Sequence, residues 1–153
     1  MGSNLDRLDE RIITLLQEDG RMSSRVMAKR LGASDRTVRY RIARLVRSGA
    51  IVIAAMVDPT VIGWPISADL KISVMPQAAR RVGERLGSLN EVMYVSLNER
   101  EGVVLATILA RSEPDAFNFV KAVVLPLEGV IKVATTIETA YIKDAAGWSP
   151  PSD

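Results

Sequence analysis

Apolar residues recur at helical spacing through the first fifty positions and at alternate positions further on, so the chain changes character near residue 60. Leu5, Leu8, Ile12, Leu15 and Leu16 predict an amphipathic helix over about 5–19, with Gly20 as its C-terminal cap. Ser23 or Ser24 can cap a second helix carrying Val26, Met27 and Leu31, with Gly32 as the turn after it. Ser34 then caps a third helix whose apolar face is Val38, Ile42 and Leu45, running to about Ser48 and ended by Gly49. The β-branched stretch AIVIAAMVD predicts a strand, the wing of a small helical domain.

Two prolines and a glycine in DPTVIGWP (58–65) mark a linker, in which Trp64 reads as a packing anchor rather than a ligand platform. Beyond it, ISADLKISV alternates strictly and predicts a strand over 66–74. A helix follows over about 77–88, with Ala78, Val82 and Leu86 inward, and then the strand VMYVSL, the polar loop NEREG (98–102) and the strand VVLATILA (103–110). Ser112 with Asp115 opens another helix carrying Phe117, Val120 and Val124, and VIKVATTIETAYIK (130–143) is a fourth strand. The fold class is therefore α+β. An N-terminal winged helix-turn-helix (1–58) and a linker (59–65) precede a ferredoxin-like βαββαβ domain (66–145), and a tail (146–153) follows.

Strand 103–110 is apolar at both parities, the pattern of a strand buried on both faces. Right-handed crossovers put both helices of a βαββαβ fold on one side of its sheet, so the other side needs a partner, and a second copy is the economical one. The C-terminal domain is expected to dimerise.

Composition narrows the chemistry. The 153 residues contain no cysteine and no histidine, which removes disulfides, thiolate or imidazole metal sites, thiol nucleophiles and histidine bases. No cofactor or metal is expected. No apolar run long enough to span a membrane is present, and the absence of a leader-like pattern points to a cytoplasmic protein. Net charge is only +2, yet residues 20–50 hold nine Arg or Lys against one acid, so that segment carries +8 and the remainder −6. Such a block points to a local surface for a polyanion.

The stretch SDRTVRYRIARLVRSGAI places five arginines within twelve positions, Arg36 to Arg47. At ~100° per residue, Arg36, Tyr40, Ala43 and Arg47 fall opposite the apolar face, with Thr37 and Arg44 alongside and Arg39 and Arg41 flanking. Ser34, Arg36, Thr37, Arg39, Tyr40, Arg41, Arg44 and Arg47 are the candidate contacts to double-stranded DNA. Arg36 and Tyr40 are assigned to bases, and Arg39 and Arg44 to phosphates. Arg41 has a second reading, an internal pair with Asp9 or Glu10. A three-helix bundle with a solvated basic face is the plainer alternative for the whole segment, and the turn chemistry and one-sided charge argue against it.

The run from LDRLDERIITLL to VRSGAI, followed by MVDPTVIGWP, resembles the N-terminal half of the Lrp/AsnC regulators. The shared features are the opening Leu-Asp pair, the Ser-led recognition helix and the residues Arg41, Leu45, Gly49 and Ile51. The resemblance covers about residues 4–145 and implies DNA-binding homodimers, often assembled into octamers, that respond to a small effector, commonly an amino acid. It places the effector near the loop between the second and third strands of the sensing domain. That loop usually carries a glycine followed three residues later by aspartate; here the matching residues are Asn98 and Glu101. Asparagine tolerates a left-handed backbone and glutamate keeps the charge, but both crowd a small pocket. Asn98, Glu99, Glu101, Thr135 and Thr136 are the candidate effector contacts; a simple charged hairpin loop is the alternative for the first three, and a plain sheet role is the reading preferred for Thr135 and Thr136. Two other functions share this architecture. One is a nucleoid-type architectural protein; the other is a siroheme-decarboxylase-like enzyme, whose chemistry leans on histidines absent here.

Overall fold

The computed structural model describes residues 5–140, and their contacts divide after Met56 into two compact units. In the first unit α1 (Arg7–Glu18), α2 (Ser24–Leu31) and α3 (Asp35–Arg47) close around Ile12, Met27, Ala28, Val38 and Leu45. The caps are those of the sequence: Val26 N–H donates to Ser23 Oγ at 3.3 Å and Thr37 N–H to Ser34 Oγ at 3.0 Å. Gly32 turns α2 into α3 with φ of 66°, a left-handed conformation that a side chain would strain. Gly20 does not act as a left-handed cap. Helix α1 ends on Asp19 in an extended conformation, and the Asp19 carboxylate accepts the Arg21 N–H at 2.8 Å to close the turn.

The predicted wing strand is not formed. Residues 51–58 carry no strand, and Val52, Ile53, Met56 and Val57 are exposed. β-Branched residues favour an extended chain, but a strand also needs a neighbour for its N–H and C=O groups. The described part of the first unit is otherwise helix and turn.

The second unit contains β1 (Ile66–Val74), a single 3-10 turn (Pro76–Ala78) leading into α4 (Ala79–Gly87), then β2 (Val92–Asn98), β3 (Val103–Ala110), α5 (Glu113–Phe119) and β4 (Val130–Ile137). Strand order is β2-β3-β1-β4 with every neighbouring pair antiparallel, as the ferredoxin-like reading requires. Helix α5 runs on into a wider π turn over Val120–Val124, and this changes its inward stripe. Ala116, Val120 and Val124 are buried at intervals of four, whereas Phe117, expected inside, is half exposed. Strand β4 stops at Ile137 rather than reaching 143; residues 138–140 are not strand, and 141–143 and the tail lie outside the described residues.

One face of the sheet buries Ala68, Leu70, Ile72, Val104, Ala106 and Ile108 against α4 and α5. The opposite face has no cover from the described residues of its own unit: Leu105 is 45% exposed, and Thr107 and Leu109 are only partly buried. Among the described residues no helix is long and apolar enough to cross a membrane.

One polar group is buried deep in the first unit. The Asp9 carboxylate has no exposure and accepts from the Asp6 N–H at 3.1 Å, from Arg41 Nη1 at 3.2 Å and from Arg44 Nη2. It closes the capping box of α1 and ties that helix to two residues of α3. A buried carboxylate is tolerable when both oxygens are hydrogen-bonded and cations adjoin it, and both conditions hold here. Asp6 completes the cluster by pairing with Arg41. The Asp9 backbone N–H, and then the Arg41 guanidinium, hold the Asp6 carboxyl below its ordinary 3.8.

Asp9→Ala is expected to destabilise the first unit by on the order of 3 kcal/mol, measured by urea unfolding followed through the helical circular dichroism signal. A loss below about 1 kcal/mol would show that this carboxylate does not hold α1 to α3. Because the folded pKa of Asp6 is depressed, its stabilisation is full above 3.8 and is lost as pH falls through the lower folded value. The first unit should therefore weaken on the acid side of pH 4, and Asp6→Asn should flatten that dependence.

Candidate functional site

Helix α3 starts at an N-cap that ties down two of the candidate DNA contacts. Ser34 Oγ and Thr37 Oγ1 lie 2.7 Å apart, in addition to the cap bond from the Thr37 N–H. The next turn is braced from α2, where Ser24 Oγ donates to Asp35 at 2.5 Å and Arg39 pairs with the same carboxylate at 2.7 Å. Val38 and Leu45 are fully inside, and their burial sets the rotation of the helix. Arg36, Arg39, Tyr40, Ala43 and Arg47 therefore stand outward, with Tyr40 65% exposed.

The five arginines of α3 are not equivalent. Arg41 pairs with both Asp6 and Asp9, the internal reading suggested by its place at the edge of the apolar face; its guanidinium is held above its ordinary value, first by the Asp6 hydrogen bond. Arg44, assigned from its sequence position to a phosphate, instead has its Nη2 on the buried Asp9 carboxylate. Helical spacing gave its direction on α3 but said nothing of an acid arriving from α1. Arg39 keeps an exposed pair with Asp35, while Arg36 and Arg47 have no ion pair among the described residues. The sequence had counted this helix as an almost unopposed positive block. In the fold three acids answer it, two of them from α1 and its cap.

The second candidate site lies in the other unit. On the uncovered face of the sheet, at the β2–β3 end, an open cavity of about 330 Å³ is lined by Lys71, Ser96, Leu97, Asn98, Glu101, Val103 and Leu105. Two of the five candidate effector contacts, Asn98 and Glu101, are brought together there. Asn98 closes the loop by accepting the Glu101 N–H at 3.2 Å, and it does so without the left-handed conformation expected of it. That conformation falls to Gly102, with φ of 62°, where a Cβ would sit 2.3 Å from the Val74 carbonyl oxygen. The tight approach anchors the loop to β1, and Val74 N–H donates back to the Gly102 carbonyl at 2.8 Å.

The other three candidates are placed elsewhere. Glu99 is drawn to α4, where Arg80 Nε pairs with it at 2.8 Å. Thr135 and Thr136 are consecutive on a strand and so face opposite sides. Thr135 pairs with Leu70 on the helix-covered side and Thr136 with Asp69 on the open side, and neither lines the cavity. Lys71, which does line it, had only its strand parity in the sequence to point to it. Trp64, just before β1, is partly buried and has the Arg111 guanidinium 5.4 Å from its ring centre.

A model of the AsnC-type helix-turn-helix domain matches residues 5–46. An uncharacterised HTH-type transcriptional regulator of Pyrococcus furiosus is 33% identical over 140 residues, covering 91% of this chain and 95% of the relative. AsnC of E. coli has the same fold, with a TM-score of 0.81 at 21% identity over 93% of this chain and 97% of that one. So does a transcriptional regulator of Neisseria meningitidis solved in complex with L-Met, with a TM-score of 0.82 at 20% identity over 95% and 97% of the two chains. With similarity running through both units, this chain belongs to the Lrp/AsnC family of helix-turn-helix transcriptional regulators.

Proposed function

We propose that this regulator binds duplex DNA as a homodimer, reading sequence with the outer row of α3, and that a small effector in the sheet cavity biases its assembly. The observation that carries the DNA reading is the outward row Arg36, Tyr40, Arg47 on a helix whose rotation is fixed by buried Val38 and Leu45. Ala43, exposed between them, leaves a low spot that lets the helix approach a groove. Arginine's planar fork suits guanine edges and phosphates alike. Arg36 and Tyr40 are nearest the N-terminal end of α3, which enters the major groove in helix-turn-helix complexes, and they take the base contacts. Arg39, whose exposed pair with Asp35 is weak, and Arg47 take phosphates. Arg44 is occupied by Asp9 and supports the helix from behind.

The homodimer is supported by the open sheet face with Leu105, Leu109 and Val103 on it, and a dimer presents two recognition helices to successive half-sites. The effector reading rests on Glu101 in the cavity, a carboxylate suited to an ammonium group, and on the L-Met complex of the Neisseria relative. Asn98 and the longer Glu101 narrow the space, so an amino acid with a short side chain is the preferred ligand. Regulation follows if the ligand's affinity differs between assemblies.

Arg36→Ala and Tyr40→Ala should each cost about 1–3 kcal/mol at a cognate site and much less on random DNA. Equal losses on both, in binding titrations at fixed salt, would remove the base-reading role; a small ratio for the unaltered protein would favour architectural binding. Arg47→Ala or Arg39→Ala should weaken binding to every sequence and flatten the log–log salt dependence by roughly one unit. An unchanged slope refutes the phosphate contact for that residue. For the cavity, calorimetry with a panel of amino acids should find a short one that binds and whose heat is lost in Glu101→Ala. Tight binding of a bulky amino acid, undiminished in the variant, would place the site elsewhere.

A further inference from the structure

The uncovered sheet face is not uniformly apolar. Its side chains fall in rows across the four strands, given by the pairing register. One row runs Thr136, Asp69, Thr107, Tyr94; the next runs Ala134, Lys71, Leu105, Ser96; the third runs Lys132, Ser73, Val103, Asn98. An acid and a base thus stand in adjacent rows on β1, one of the two central strands. The Asp69 carboxylate is held upright by Thr107, whose Oγ1 donates to it at 2.7 Å. Lys71 has no ion pair among the described residues.

This inference rests on the homodimer proposed above. Covering the face with a copy takes Asp69 and Lys71 out of water, which is unfavourable unless each meets an opposite charge. Two-fold symmetry restricts the choices, because a residue that contacts a second must be contacted by it in return. If the axis lies parallel to the strands at the centre of the sheet, β1 covers β3. Asp69 then faces Thr107 and Lys71 faces Leu105, and no charge is paired. If the axis crosses the strands at the level of Leu70, β1 covers β1 in the opposite direction. Position 69 of one copy then faces position 71 of the other, twice. Stacked sheets stand roughly 10 Å apart, a gap that a lysine and an aspartate reaching from opposite sides span with one hydrogen bond.

We propose that the open face selects a second copy of this chain through two reciprocal Asp69–Lys71 ion pairs, with the β1 strands antiparallel across the interface. The pairs act as a recognition code. A related chain that lacks one of the two charges in this register leaves one buried charge unanswered, and one that lacks both leaves two, so the pairing discriminates against either. Asp69 does not line the effector cavity, so its substitution tests the interface without touching the ligand site.

The experiment is sedimentation equilibrium on the full chain. Asp69→Lys and Lys71→Asp should each raise the dimer dissociation constant at least about tenfold, because each sets like charges against each other. An equimolar mixture of the two variants should recover dimers, since every facing pair is then opposite in sign. The double exchange Asp69→Lys/Lys71→Asp should dimerise like the unaltered protein and fail to mix with it. Recovery in the mixture also shows that the single variants are folded. Single variants that associate as tightly as the unaltered chain, or a mixture with no gain, would overturn the code while leaving the homodimer standing. An unaltered protein that sediments as a monomer at ~100 µM would instead remove the homodimer itself, and the code with it.

Discussion

A four-stranded sheet whose crossovers are right-handed receives both helices on one side, and the assembly proposed for this chain turns on what covers the other. The covered face is closed by residues such as Ala68, Ile72 and Ile108, which have no exposure. The open face carries Leu105, Leu109 and Val103 beside Asp69, Lys71 and Lys132. That mixture is tolerable in water, as a fully apolar face of this size would not be. It also carries enough apolar area to reward a partner that answers the charges. The same face holds the cavity beside Glu101, so the surface proposed for a partner and the site proposed for a ligand adjoin.

Charge in the first unit is organised by a comparable economy. Asp9 is drawn entirely out of solvent because it serves three purposes at once, capping α1, holding Arg41 and holding Arg44. A recognition helix must keep its rotation while its outer side meets a highly charged duplex. Val38 and Leu45 fix that rotation by burial, and the Asp9 cluster fixes it by directed hydrogen bonds from the flank. The consequence is fewer unopposed arginines than the composition suggests. If α3 binds DNA as proposed, fewer phosphate contacts would reduce affinity common to all sequences and leave a larger share of discrimination to the base contacts proposed for Arg36 and Tyr40.

Where local pattern and local chemistry coincide, the sequence was sufficient. Strict alternation placed β1 at 66–74 and an apolar run placed β3 at 103–110, both with the observed bounds. Ser23 and Ser34 cap the helices they precede because a hydroxyl two or three residues from a free N–H needs nothing distant. Failures arose where the deciding partner is remote or missing. Among the described residues, 51–58 have strand composition but no strand beside them, and Phe117 was turned outward by a π turn that period counting cannot see. Thr135 and Thr136 take the plain sheet reading, on opposite faces of β4 as strand parity requires. Arg44, Glu99 and Lys71 were decided by Asp9, Arg80 and the loop after β2, each distant in sequence.

The adjacency of cavity and open face bears on how regulation would work. Lys71 and Leu105 border the cavity, and the same two residues lie on the surface a second copy would cover. A ligand placed there alters the free energy of covering the face, and by linkage the covering alters ligand affinity by the same factor. No separate relay through the core is needed for that coupling. The size of the effect is limited by the difference in ligand contacts between the covered and uncovered states. Glu101 sits at the rim on a loop pinned by Gly102 to β1. A pinned loop cannot follow the ligand far, so the ligand must be accommodated by the approaching face. Under the proposed function, that would make the cavity a sensor of assembly rather than of local loop motion.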